Sequence, residues 1–201
     1  MNWSEVVGNL DNLRLQKFLA GYRLTIEPLD IEVDFVNYLV MELPGKLGMT
    51  HAPGKPGLYE ERVMDDDIKR LKEEYKTDVL VSLVTNKELK QMGIRGIYDT
   101  AAENDISSIR FPIKDFSIPK NLESVKVLVE EILSELRAGR NVVIHCWGGF
   151  GRTGMIAACV LVEFGYNAED AMWLIRNARE WTIETSMQEA FIRAYDFYRN
   201  V

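Results

Sequence analysis

Histidine and cysteine are scarce: the 201-residue chain holds two of each. None stands in a CxxC or HxxxH spacing, so neither a structural zinc site nor a disulfide framework is expected. Free thiols at Cys146 and Cys159 suit a reducing cytoplasm. Long apolar runs are missing too, and with them any expected membrane span. The opening stretch MNWSEVVGNLDNLRLQ lacks a basic region followed by an apolar one, the order of a secretory leader. Positive charge is in deficit, 24 Lys and Arg against 31 Asp and Glu, for a net charge of −7. Such a surface repels polyanions at long range, which disfavours nucleic acid and anionic membranes as partners. Repeats and low-complexity tracts are absent from the sequence. The remaining composition, 47% hydrophobic and 27% charged, is that of a globular domain able to bury its own core.

Local patterns alternate along the chain. SEVVGNLDNLRLQKFLA (4–20) reads as an amphipathic helix with Ser4 as its N-cap. IEVDFVNYLVMEL (31–43), β-branched and aromatic, reads as one or two strands, and PGKLGMTHAPGKPG (44–57), punctuated by proline and glycine, as loop. A helix over 65–76, with acids in its first turn, precedes the apolar strand VLVSLV (79–84). Short helices in TNKELKQM and GIYDTAAEN lead to a strand in ISSIRFPI (106–113). The helix over 121–139 carries Val125, Leu128, Val129, Ile132 and Leu136 on one face. NVVIHC reads as a strand buried on both sides, and three helices follow over 153–164, 168–180 and 185–199. Strands alternating with helices predict an α/β fold, a central and mostly parallel sheet flanked by helices, with an extra N-terminal helix. Ligands of such sheets lie beyond the carboxyl ends of the strands, where Cys146 falls.

The loop in NVVIHCWGGFGRTGMIAACVL (141–161) can be read in two ways. Gly149-x-Gly151-x-x-Gly154 has the spacing of a dinucleotide-binding turn. That turn requires a second strand ending in an acid about 20 residues further on. Glu169 and Asp170 stand at that distance, but in the first turn of a helix capped by Asn167, and no strand follows. The other reading begins with Cys146, followed after five residues by Arg152-Thr153. Trp147, Gly148, Gly149, Phe150 and Gly151 then supply backbone N–H groups which, with the helix N-terminus, bind phosphate or a similar anion such as vanadate or sulfate. The three glycines of this stretch let the backbone curl through conformations closed to other residues. The same positive surroundings favour the ionised thiol as a nucleophile. Arg152 offers a planar fork to two oxygens, and Thr153 a hydroxyl bond to the sulfur that improves it as a leaving group.

HCWGGFGRTG resembles the His-Cys-x5-Arg-Ser/Thr signature of the cysteine-dependent protein tyrosine and dual-specificity phosphatases. KLGMTHAPGK (46–55), FPIKDFSIP (111–119) and AREWTIETSMQEAF (178–191) stand in the order seen in the branch around the cyclin-dependent kinase-associated phosphatase and its prokaryotic relatives. The first thirty residues fall outside the resemblance, which leaves 1–30 as a helical extension to a phosphatase domain over 31–201. The resemblance implies hydrolysis of phosphomonoesters on phosphoproteins through a phosphocysteine, without metal or other cofactor. It implies that Cys146 attacks phosphorus and that Arg152 binds the phosphoryl group and its transition state. It further implies that Asp115 protonates the leaving oxygen and then activates water, which Gln188 holds. The bland alternative for Asp115 is a turn aspartate bonded to its own backbone. Two other functions stay open. One is a non-catalytic phosphate-binding module, which needs neither thiol nor acid. The other is a phosphatase of a non-protein ester, disfavoured because Trp147 and Phe150 add no charge for further phosphates.

Other residues carry competing readings. His145 adjoins Cys146, but neighbours in a strand point to opposite faces, so it reads as a buried histidine bonded to loop carbonyls rather than as the base. Cys159 reads as core rather than redox partner. Trp147 and Phe150 either rim the site or pack on neighbouring loops. Arg179 is either a second anion contact or a helix C-terminal cation. Trp173 and Leu174 read as core.

Overall fold

Two hydrophobic layers, one on each face of a five-stranded sheet, set the architecture. The computed structural model describes residues 30–37, 41–56 and 63–199. Asp30 apart, these belong to one unit, Ile31–Val201. The helix expected over 4–20 lies outside the described residues. The elements run β1 (Asp34–Phe35), β2 (Leu47–Thr50), α1 (Met64–Glu73), β3 (Thr77–Ser82), α2 (Asn86–Met92), α3 (Ile97–Glu103), β4 (Ser107–Arg110), α4 (Leu122–Arg137), β5 (Asn141–His145), α5 (Gly151–Phe164), α6 (Ala168–Ala178) and α7 (Ser186–Arg199). The sheet order is β1-β2-β5-β3-β4, parallel except for the β1–β2 pair. The α/β expectation with a mostly parallel sheet holds.

Period-two alternation distributes the strand residues between the layers. Leu47, Met49, Val79, Val81, Val142 and Ile144 join the layer built with α4 to α7, while Leu80 and Val143 join the layer built with α1 to α3. Burial on both faces explains why the central strands read as continuous apolar runs. The register brings Thr50, His145 and Ser82 abreast at the carboxyl ends of β2, β5 and β3. All chemistry described below hangs from that edge.

In the N-terminal part of the sheet one expectation is met at its lower bound and another fails. Residues 31–43 contribute only the two-residue strand β1 among the described residues, with Ile31, Val33 and Val36 buried beside it. Conversely, the segment expected to be loop contains β2, fully buried between β1 and β5. Its glycine is there for space rather than for turning. A Cβ on Gly48 would lie 2.5 Å from Val33 Cγ1 and 3.0 Å from Phe35 Cε1. Trp173 is also not core: it is 64% exposed, because α6 turns Ala171, Met172 and Ile175 inward instead.

Gly48→Val should therefore lower unfolding stability by about 1–3 kcal/mol, the usual penalty of overpacking. The midpoint of a urea titration checks it; an unchanged midpoint would mean that β1 yields freely.

Candidate active site

The loop between β5 and α5 is shaped by contacts with its neighbours. Gly149 is its one glycine with positive φ, 77°. A Cβ there would lie 2.4 Å from Thr50 O, so both conformation and space require glycine. Gly148 and Gly151 do not share that conformation, contrary to the expectation for all three; Gly151 is needed for room, since a Cβ would meet Glu184 Oε2 at 2.3 Å. Ala52 N–H donates to Trp147 O at 3.2 Å and Leu83 N–H to His145 O at 3.0 Å, tying the loop to the ends of β2 and β3. Arg179 completes the frame. Its Nε donates to Gly149 O at 2.9 Å, its Nη1 pairs with Asp34, and its guanidinium lies 4.8 Å from the Phe150 ring centroid. Arg179 stands at the C-terminal end of α6, as one of the two sequence readings had it, and from there it clamps the loop, a role the sequence did not suggest.

Cys146 sits within this frame, 3% exposed, and its Sγ accepts a hydrogen bond from Gly149 N–H at 3.3 Å. Arg152, the second residue of α5, is 1% exposed. Its Nη1 donates to Ile113 O at 2.8 Å and to Glu88 Oε2 at 3.1 Å. Its Nη2 lies 2.8 Å from Glu88 Oε1 and 2.8 Å from Asp115 Oδ1, ion-pair contacts whose angles fall short of hydrogen bonds. Its buried Nε has no hydrogen-bond partner among the described residues. Burial opposes the guanidinium's charge; the Glu88 hydrogen bond, with the charges of Cys146, Glu88 and Asp115, more than reverses this and holds it protonated.

Glu88 was not singled out in the sequence. It closes a capping box at the start of α2: its N–H donates to Thr85 Oγ1 at 3.3 Å, and Thr85 N–H donates to its Oε2 at 2.8 Å. Thr-x-x-Glu announces that cap, but no local pattern announces that the same carboxylate meets Arg152 64 positions away. Burial pushes the Glu88 carboxyl up, and the bonds from Arg152 and Thr85 outweigh it and hold it below 4.5.

Asp115 reaches Arg152 because hydrogen bonds extend the β3–β4 pairing past the strands. Phe111 N–H donates to Ser82 O at 3.0 Å and Ile113 N–H to Leu83 O at 2.9 Å. The Asp115 side chain stays 52% exposed, and Phe116 follows with positive φ, 53°. Thr153 is fully buried in the first turn of α5, its hydroxyl unpaired among the described residues. Gln188 is also fully buried; its Oε1 accepts from Glu184 N–H at 2.9 Å, and its Nε2 faces Gly151. Glu184, also missed, accepts from Gly151 N–H at 2.8 Å, so one amide expected to meet the anion carries a carboxylate in this structure. Trp147 packs on the α1–α3 layer, while Phe150 lies beneath Arg179.

His145 is wholly buried, and its Nδ1 lies 3.1 Å from Cys146 O. Burial pushes its pKa down to about 4, against a weaker upward pull from that carbonyl. The ring is therefore neutral at neutral pH, in keeping with a structural histidine. Cys159 is fully buried and burial raises its pKa, which fits core packing.

A family model described as the Swiss Army Knife protein, DSP-PTPase phosphatase domain, matches residues 53–192. The chain belongs to this phosphatase family. The phosphatase is 31% identical over 152 residues to cyclin-dependent kinase inhibitor 3 of Rattus norvegicus, covering 74% of this chain and 71% of that protein. The human protein of the same name is 28% identical over the same length. Among solved structures, a kinase associated phosphatase with its catalytic-site cysteine replaced by serine superposes with a TM-score of 0.80 at 23% identity, covering 87% of this chain and 99% of that one. The active form of Tk-PTP gives 0.66 at 22% identity over 82% and 96%. The phosphatase is accordingly of the protein tyrosine and dual-specificity type with a catalytic cysteine.

Two measurements test the electrostatics. His145 is harder to protonate folded than unfolded, so its contribution to stability is full above 6.5 and falls as pH drops toward 4, by about 3 kcal/mol in all. Urea titrations across that window should show the slope, and His145→Gln should flatten it; an unchanged slope would place the titration elsewhere. Glu88→Gln should lower kcat/KM for an aryl phosphate by about 10²-fold through misplacement of Arg152. Its stability deficit should shrink as pH falls below 4.5 and wild-type Glu88 protonates.

Proposed function

We propose that the chain hydrolyses phosphomonoesters on phosphoproteins, phosphotyrosine and also phosphoserine or phosphothreonine, through a phosphocysteine on Cys146. The observation that carries this reading is Arg152, a buried guanidinium in contact with Asp115 at the mouth of the loop that holds the Cys146 sulfur. A phosphate dianion entering the loop takes the unpaired Nε and the Nη2 side of Arg152, displacing Asp115 from it. The ionised Sγ of Cys146 attacks phosphorus; the S–P bond forms as the ester P–O bond breaks, and Asp115 gives its proton to the leaving oxygen. Water, held by the Gln188 amide, then attacks phosphorus. Asp115 takes a proton from it, the S–P bond breaks, and inorganic phosphate leaves. Thr153 steadies the departing sulfur by donating its hydroxyl hydrogen. The likeness to a protein named a kinase associated phosphatase supports a protein substrate. The two free thiols support work in a reducing compartment such as the cytoplasm.

Turnover of an aryl phosphate in the presence of a chelator tests the reading. Activity should survive the chelator and vanish in Cys146→Ser, while vanadate still binds; phosphate binding without turnover in the wild type would make the chain a binding module. Asp115→Asn should slow esters with poor leaving groups by about 10²–10⁴-fold and activated aryl phosphates much less. Equal loss on both would move the acid elsewhere.

A further inference from the structure

Beside the acid loop lies a cluster of cations that the phosphoryl chemistry does not use. A groove of about 640 Å³ is bounded by Arg110, Lys114 and Lys120, with Asn86, Ser117 and Ser124 among its polar walls. Among the described residues no acidic side chain lines it. A second hollow of about 440 Å³ shares Thr85 and Lys114 with the groove, adds Lys87, and reaches Asp115 and Trp147 at the active site. All four cations are exposed. Arg110 is held in place, its Nη2 donating to Asn86 Oδ1 at 2.7 Å and its guanidinium 4.5 Å from the Tyr98 ring centroid. The nearby acids are committed elsewhere: Glu123 pairs with Tyr198, and Glu88 with Arg152.

Four cations around two adjoining hollows, the second of which reaches Asp115, run against a chain of net charge −7. We propose that this groove binds an acidic segment of the phosphoprotein substrate, Asp and Glu side chains flanking the phosphorylated residue. The inference rests on the catalytic reading above and adds to it a rule of substrate choice. Charge complementarity names the occupant. The apolar walls of Phe111, Ile118 and Pro119 give the stems of such a peptide a surface to cover. The overall negative charge opposes docking on an anionic bilayer, which favours a peptide over a lipid headgroup.

The test uses pairs of phosphopeptides that share the phosphorylated residue and differ in its flanks, Asp and Glu in one and Asn and Gln in the other. Wild-type kcat/KM should be about five- to tenfold higher on the acidic peptide, through KM, and this preference should fade as salt is raised. Lys114→Gln combined with Lys120→Gln should abolish the preference and leave p-nitrophenyl phosphate turnover unchanged. Equal kcat/KM on both peptides in the wild type, or a preference that survives the double variant, would overturn the proposal. So would an equal loss on p-nitrophenyl phosphate, which would assign the lysines to the catalytic loop. A lysine-dependent preference for soluble inositol phosphates or phosphoinositide vesicles, with none among peptides, would overturn it too. A wild-type protein that turns over none of these substrates would overturn the catalytic reading and this one with it.

Discussion

A guanidinium buried to 1% exposure is costly unless its charge is met, and the site is organised by how that is done for Arg152. Glu88 supplies a carboxylate from α2, Ile113 a carbonyl from the acid loop, and Asp115 a second carboxylate beyond it. These partners come from the β3–β4 and β4–β5 connections, while Arg152 itself belongs to the helix that follows β5. One cation therefore fixes the distance between the loop bearing the sulfur and the loop bearing the acid. The remaining Nε, buried without a partner among the described residues, suits an oxygen of a bound phosphate.

Position alone does not make a cradle; the loop must also hold its shape when empty. Gly149 lets the chain pass against the end of β2, and Arg179 draws the Gly149 carbonyl toward Asp34 on β1. That arrangement gives the short edge strand a purpose. It carries the anion to which the loop is tethered, while Gly48 lets β1 approach β2 closely enough for this. The packing of one small strand is thus coupled to the geometry of the phosphate loop.

Much of this was legible in the residues. The apolar runs at 79–84 and 141–146 gave buried parallel strands; α4 followed from its apolar face and α6 from its cap, Asn167. Cys146, Arg152 and Asp115 were found from spacing and resemblance, and they meet at one end of the sheet. What escaped notice shares a physical character. In β2, proline and glycine flank a strand whose glycine answers to a neighbouring strand, which a local pattern does not record. Glu88, Glu184 and Arg179 act through partners far along the chain, and each also fits an ordinary local role as cap, loop acid or helix-end cation. Trp173 misled through hydrophobicity alone, because Ala171, Met172 and Ile175 fill the inward face of α6.

The most direct test of the account is to trap the enzyme during turnover. Acid quenching of the protein with an aryl phosphate, followed by mass spectrometry of its peptides, should find one phosphoryl group on the peptide that carries Cys146 and none on Cys159, with the label gone once substrate is exhausted. Turnover that proceeds with no phosphoryl group on Cys146 at any quench time, or with the group on another residue, would contradict it.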